Sequence, residues 1–104
     1  MVVLDNNGSM EVPNVTEDRV LIVEDERIVA LDLQYQLRRL GYTVSDVASS
    51  GEEALRRAEK ARPDVVLMDI RLGGALDGVE TAEILRDHFD VPVVFLTAYA
   101  DDGT

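Results

Sequence analysis

Three continuous apolar runs in this chain end in side chains that carry oxygen. Val20-Leu21-Ile22-Val23 leads into Glu24-Asp25-Glu26, Val65-Val66-Leu67-Met68 into Asp69, and Val93-Val94-Phe95-Leu96 into Thr97. A short unbroken apolar run is what a strand buried on both faces requires. In a parallel sheet such strands open their C-termini on one edge, and ligands bind there, where the strand order reverses. On that edge Glu24, Asp25, Asp69 and Thr97 would converge from distant stretches of sequence. Carboxylates without histidine or cysteine suit a hard cation such as Mg²⁺. The Thr97 hydroxyl would then donate to an anionic group held by the metal. This combination suggests phosphoryl chemistry, in which a metal offsets charge on the transferring oxygens.

The segments between the runs must position those ends. Residues 27–40 read as a helix, with Ile28, Leu31 and Tyr35 on one stripe and Leu33, Leu37 and Leu40 on an adjoining one. Gly41 is a natural C-terminal stop. Thr43 to Ala48 alternates and predicts a less buried strand at an edge. Ser49-Ser50-Gly51 supplies a turn and cap. Ala54, Leu55, Ala58 and Ala61 mark a second helix, closed by Pro63. A glycine-rich loop from Arg71 to Gly78 precedes a third helix over about 79–88, with Val79, Ala82, Leu85 and Phe89 expected on its inner side. The order is strand, helix, strand, helix, strand, helix, strand. That alternation predicts an α/β fold with a parallel sheet, and right-handed crossovers make it doubly wound.

Length and composition narrow the possibilities further. The chain has 104 residues, enough for one domain. Residues 1–18 hold four acids, no base and the turn signals Asn6-Asn7-Gly8 and Pro13-Asn14. They read as a disordered leader, in which Val2-Val3-Leu4 is too short to predict a strand. Residues 19–104 form the expected domain. There are ten basic and twenty-one acidic side chains, a net charge of −11. Direct nucleic-acid binding needs a basic footprint and is not expected. No cysteine is present, which removes disulfides and thiolate chemistry. No apolar run reaches membrane-spanning length and no secretory signal is visible, so a cytoplasmic protein without membrane contact is expected.

Taken in order, Val20-Leu21-Ile22-Val23-Glu24-Asp25-Glu26, Val65-Val66-Leu67-Met68-Asp69, Asp77-Gly78 and Val93-Val94-Phe95-Leu96-Thr97-Ala98 resemble the successive signatures of the response-regulator receiver domain. Each motif alone is weak; four in order with helices between them are specific. The resemblance covers residues 19–104. It implies a flavodoxin-like fold and a signalling switch rather than an enzyme. Asp69 would accept a phosphoryl group from a sensor histidine kinase or phosphotransfer protein. Asp25 and Asp69 would bind Mg²⁺ directly, Glu24 through water, and the Arg71 backbone carbonyl would complete the protein ligands. Thr97 would hydrogen-bond a phosphoryl oxygen, and Ala98 is small, as the family needs beside the phosphate.

This sequence departs from the family pattern in three places. Gly73 and Gly74 stand where a proline is usual after the phosphoacceptor, and the step from Asp69 to Asp77 is one residue longer than the commonest spacing. Tyr99 lies two residues after Thr97, a position that influences phosphoryl lifetime in the family. The chain also ends after the fourth strand-forming run, so it is expected to lack the last helix-strand-helix, with the family's phosphate-binding lysine and switch aromatic. Lys60, in the second helix, cannot stand in for that lysine. Without a fifth strand, Val93–Leu96 is expected to present an unpaired edge, prone to a homodimer or exchanged dimer.

Several of these residues also have plainer uses. Glu24-Asp25-Glu26 could merely complement a helix dipole, a reading that loses force beside Asp69 and Thr97. Asp77 mainly caps the third helix, and His88, Arg38-Arg39 and Arg56-Arg57 read as solvated surface. Two other functions compete. A phosphorylation-independent interaction module needs no lysine. A haloacid-dehalogenase-type phosphatase wants an acid two residues after its nucleophile, where this chain has Arg71. A dinucleotide-binding fold lacks its glycine signature after the first strand.

Overall fold

The computed structural model describes residues 2–4 and 19–97, with backbone alone for 2–4 and Thr97. The elements in chain order are β1 (Val2–Leu4), β2 (Arg19–Val23), α1 (Arg27–Arg39), β3 (Thr43–Ala48), α2 (Gly51–Lys60), β4 (Val65–Asp69), α3 (Gly78–Phe89) and β5 (Val93–Thr97). They form one five-stranded sheet in the order β1-β5-β4-β2-β3. The pairs β2–β3, β2–β4 and β4–β5 are all parallel. The predicted parallel α/β order is therefore present, with β3 at an edge.

The apolar runs are buried on both faces because successive residues enter different cores. Leu21, Val23, Val66, Met68 and Val93 pack with Ala54, Ala58, Ala82 and Leu85 of α2 and α3. Val20, Ile22, Val65, Leu67, Val94 and Leu96 pack with Leu33 and Leu37 of α1 and with Tyr42. Helices thus lie on both faces, as a doubly wound sheet requires.

Local signals set the helix ends. The Ser50 side chain accepts from Glu53 N–H at 3.1 Å and caps α2. Asp77 and Glu80 form a reciprocal capping box at the start of α3. Gly41 follows α1 with φ +99°, a conformation that glycine adopts without steric cost.

Three expectations are corrected. On α1, Ala30, Leu33 and Leu37 are buried, while Ile28, Leu31, Tyr35 and Leu40 are exposed. The sheet accepts one stripe of an apolar-rich helix, and the other remains in solvent. Val79 is likewise exposed, because α3 turns Gly78, Thr81, Ala82 and Leu85 inward and Val79 falls off that face.

The third correction concerns the edge of β5. Val2–Leu4, read from sequence as part of a disordered leader, is a strand that pairs antiparallel with β5. The expected unpaired edge is therefore covered along Phe95 to Thr97. Val94 and Leu96 of β5 are only 8% and 3% exposed. Residues 5–18, and with them the rest of the expected leader, lie outside the described residues. So do Ala98, Tyr99 and the remaining residues to 104.

Candidate functional site

The sheet order reverses at β2, since β3 lies on one side of it and β4 on the other. The crevice between β2 and β4 is therefore the switch point at which ligands bind in open α/β sheets. Val23 is in register with Met68, so the next residues, Glu24 and Asp69, come out side by side. Asp69 is in turn in register with Leu96, which brings the β5 terminus at Thr97 to the same edge.

One carboxylate oxygen from each of Glu24, Asp25 and Asp69 lies within 4.8 Å of the other two. Glu24 is 5% exposed, Asp69 half-buried and Asp25 exposed. Glu24 Oε2 accepts from Glu26 N–H at 3.1 Å, which holds the carboxylate at the mouth of the crevice. Asp69 Oδ1 accepts from Arg71 N–H at 2.9 Å. Leu72 N–H returns to the Asp69 carbonyl at 3.3 Å, and its side chain is buried in the core beneath the loop. The glycine-rich loop is thus pinned at its first turn.

Burial and nearby acids make ionisation costly for the buried member of this cluster. Desolvation by burial is the chief reason that the Glu24 carboxyl is pushed up from 4.5 to about 7, and the neighbouring charge of Asp69 adds to it. The donor set is all oxygen, contains like charges and has one buried member that is hard to ionise. Those features fit a hard divalent cation, which would relieve the repulsion.

The shift has a consequence for stability. Between pH 4.5 and 7 the unfolded chain has released the Glu24 proton while the folded chain retains it, so stability of the metal-free protein falls as pH rises through that window. The contribution is on the order of 1–3 kcal/mol. Urea unfolding at pH 5 and pH 8 in a chelator is expected to show this fall, and Glu24→Gln to remove it. An equal fall in the variant would contradict the assignment. Glu53 works in a separate window. The Ser49 N–H first, and then Arg57, lower its carboxyl from 4.5 to about 2, so its stabilising contribution is lost only as pH falls toward 2.

The structure thus brings together Glu24, Asp25 and Asp69, with the Arg71 backbone beside them. It brings the Thr97 backbone to the same edge, and the Thr97 side chain lies outside the described residues. Lys60 sits at the C-terminal end of α2, in a cleft with Arg19, Ser45 and Asp46 at the opposite edge of the sheet. Arg57, read as solvated, pairs with Asp46 and Glu53. His88 is exposed, as expected.

One contributor was not legible in the sequence. A Cβ on Gly78 would lie 2.7 Å from the Asp69 carbonyl oxygen and 3.4 Å from that of Ile70. Gly78 lets the start of α3 press against the backbone that carries Asp69. The Asp77-Gly78 dipeptide was a visible signal, but it pointed to a cap and not to this approach.

Comparison with known proteins agrees with this architecture. The family model described as "Response regulator receiver domain" matches residues 20–104. The phyllosphere-induced regulator PhyR of Methylorubrum extorquens is 40% identical over 83 residues, which is 79% of this chain and 31% of that protein. The transcriptional regulatory protein PdtaR of Mycobacterium tuberculosis is 39% identical over 82 residues, 79% of this chain and 40% of that protein. The chain therefore spans less than half the length of these relatives. Among solved structures, the signal receiver domain of a modulated diguanylate cyclase from Desulfovibrio desulfuricans G20 superposes with a TM-score of 0.76 at 51% identity, covering 81% of this chain and 67% of that one. The crevice, the strand order and these matches lead to one assignment: the chain belongs to the response regulator receiver domain family.

Proposed function

We propose that residues 19–104 act as a signalling switch in which Asp69 accepts a phosphoryl group from the phosphohistidine of a sensor histidine kinase or phosphotransfer protein. The observation that carries this reading is the convergence of Glu24, Asp25 and Asp69 at the switch point, within 4.8 Å. Asp69 is the member that ends a central strand, is half-buried and has one oxygen held by a backbone donor, so it supplies the attacking oxygen. The bond between phosphorus and the donor nitrogen breaks as the bond between phosphorus and the Asp69 oxygen forms, giving an acyl phosphate. The Thr97 hydroxyl is assigned to hydrogen-bond a phosphoryl oxygen at the end of β5.

Mg²⁺ fits the donor set, with Asp25, Asp69 and the Arg71 carbonyl as direct ligands and Glu24 acting through water. Such an ion supplies charge neutralisation for the phosphoryl oxygens. Asp25→Asn removes one proposed ligand and is expected to weaken Mg²⁺ binding by on the order of tenfold. Titration of the full chain with Mg²⁺, followed by calorimetry, checks this; equal affinity in the variant and the parent would sink the metal assignment.

The exposed apolar stripe of Ile28, Leu31 and Tyr35 lies on α1, which begins two residues after Asp25. A patch of that kind beside a site supports docking of a protein phosphodonor. No described helix is long and apolar enough to cross a membrane, which is compatible with a cytoplasmic setting. The test of the whole reading is phosphoryl uptake from a small acyl phosphate in the presence of Mg²⁺. Uptake supports the switch; its absence in a folded, metal-binding chain favours a phosphorylation-independent interaction module.

A further inference from the structure

We propose that Gly51, the first residue of α2, is a positioning residue for Asp69: it lets the end of the glycine-rich loop and the first turn of α3 close against α2, and that closed segment sets the backbone which carries Asp69. The inference rests on the reading of Asp69 as the phosphoacceptor and extends it to a residue on another element.

Gly51 is buried, although it stands in the turn that starts α2. A Cβ there would overlap the Thr81 hydroxyl oxygen and would lie 3.1 Å from Leu76 Cβ and 3.2 Å from the Leu76 carbonyl oxygen. Gly51 is not one of the positive-φ glycines, Gly41 and Gly74, so close approach and not backbone conformation calls for glycine. Helix propensity alone would favour alanine at this position.

The neighbours of Gly51 cannot easily give way. Thr81 is fully buried, and its hydroxyl donates to the Asp77 carbonyl at 2.8 Å. Turning that oxygen aside would cost a buried hydroxyl its hydrogen bond. Leu76 meets Gly51 with its backbone as well as its side chain. Asp77, the next residue, is locked to Glu80 by the capping box. Residues 76–81 are thus braced as one unit, which rests on Gly51 at Leu76 and Thr81 and on the Asp69 carbonyl at Gly78, where a Cβ would lie 2.7 Å from that oxygen. Gly78 and Thr81 are three residues apart on α3 and share a face. A displacement that begins at Gly51 therefore reaches the Asp69 backbone through a single helical turn. Small misplacements of a reacting group cost rate heavily, so bulk at position 51 slows the chemistry without touching it.

The test compares Gly51→Ala, Thr81→Ala and the double variant Gly51→Ala/Thr81→Ala in the 104-residue chain. Gly51→Ala/Thr81→Val is the control that keeps the bulk at position 81. The readouts are the NMR amide resonances of Asp69 and Ile70 and the initial rate of phosphoryl uptake from a small acyl phosphate with Mg²⁺. Gly51→Ala is expected to move both resonances and to slow uptake at least about tenfold, while the Leu37 resonance on the other face of the sheet stays in place. Adding Thr81→Ala makes room for the new methyl group and restores both readouts toward the parent; adding Thr81→Val does not. Thr81→Ala alone empties the same contact from the other side and is also expected to move the Asp69 and Ile70 resonances, which decides the matter should Gly51→Ala fail to fold. Resonances that stay in place in the folded single variants, or equal rescue by alanine and valine, would overturn the proposal. Absence of uptake in the parent would count against the phosphoacceptor reading instead, and the resonances would still decide whether Gly51 positions Asp69.

Discussion

Asp69→Asn is expected to reduce phosphoryl uptake from a small acyl phosphate by more than about 100-fold, to background. Asparagine keeps the shape of the side chain, and its amide oxygen can still accept from Arg71 N–H, now 2.9 Å from Asp69 Oδ1. What it loses is the anionic oxygen that forms the bond to phosphorus. The same change removes one of the three carboxyl groups crowded within 4.8 Å, so the fold should be kept or slightly stabilised. It should also lower the Glu24 carboxyl, because the neighbouring charge that adds to its upward shift is gone. Loss of uptake without loss of stability separates a chemical role from a structural one. Radiolabel incorporation measured beside urea unfolding checks both halves. Substantial uptake by the variant, or an unfolded variant, would contradict the account.

Gly78→Ala is expected to destabilise the protein by about 1–3 kcal/mol, in the range for overpacking a tight site. Helix propensity alone predicts the reverse, since alanine is favoured over glycine in a helix by about 1 kcal/mol. Contact decides the sign. The new Cβ would lie 2.7 Å from the carbonyl oxygen of Asp69, a backbone atom that cannot rotate away as the end of a flexible side chain can. Relief requires α3 or the end of β4 to move, and either shift displaces Asp69 relative to Glu24 and Asp25. Uptake at Asp69 should therefore fall together with stability, although Gly78 touches no phosphoryl group. Thermal unfolding and initial rates of labelling test this pair of effects. A variant more stable than the parent would show that propensity outweighs the contact.

Much of the molecule was legible because its central strands are uninterrupted apolar runs. Val20 to Val23 and Val65 to Met68 can be buried on both faces only in a parallel sheet covered by helices, and that places their polar successors on one edge. The approach of Glu24, Asp25 and Asp69 follows from topology and needed no detail of side-chain packing. The caps at Ser50 and Asp77 were legible for a similar reason, since capping is a local interaction.

The rest depended on contacts between distant segments. Periodicity showed that α1 is apolar on two adjoining stripes; only the position of the sheet decides that Ala30, Leu33 and Leu37 go inward while Ile28, Leu31 and Tyr35 stay out. Val79 fits an inner position by spacing, yet the helix turns Gly78, Thr81, Ala82 and Leu85 inward and leaves Val79 exposed. Val2–Leu4 carries a weak strand signal and becomes a strand because β5 offers it an edge. Gly78 reads as an ordinary residue after a cap, and its closeness to the Asp69 carbonyl exists only in the folded chain.

The most direct test of the central claim is to locate the phosphoryl group. The full chain is incubated with Mg²⁺ and a small acyl phosphate, and the modified peptide is identified by mass spectrometry. The account predicts a single phosphorylated residue, Asp69, with a label that survives acid and is lost in alkali, as an acyl phosphate is, and that fails to form when Mg²⁺ is chelated. A label on any other residue, or one on Asp69 that forms equally well in a chelator, would contradict it.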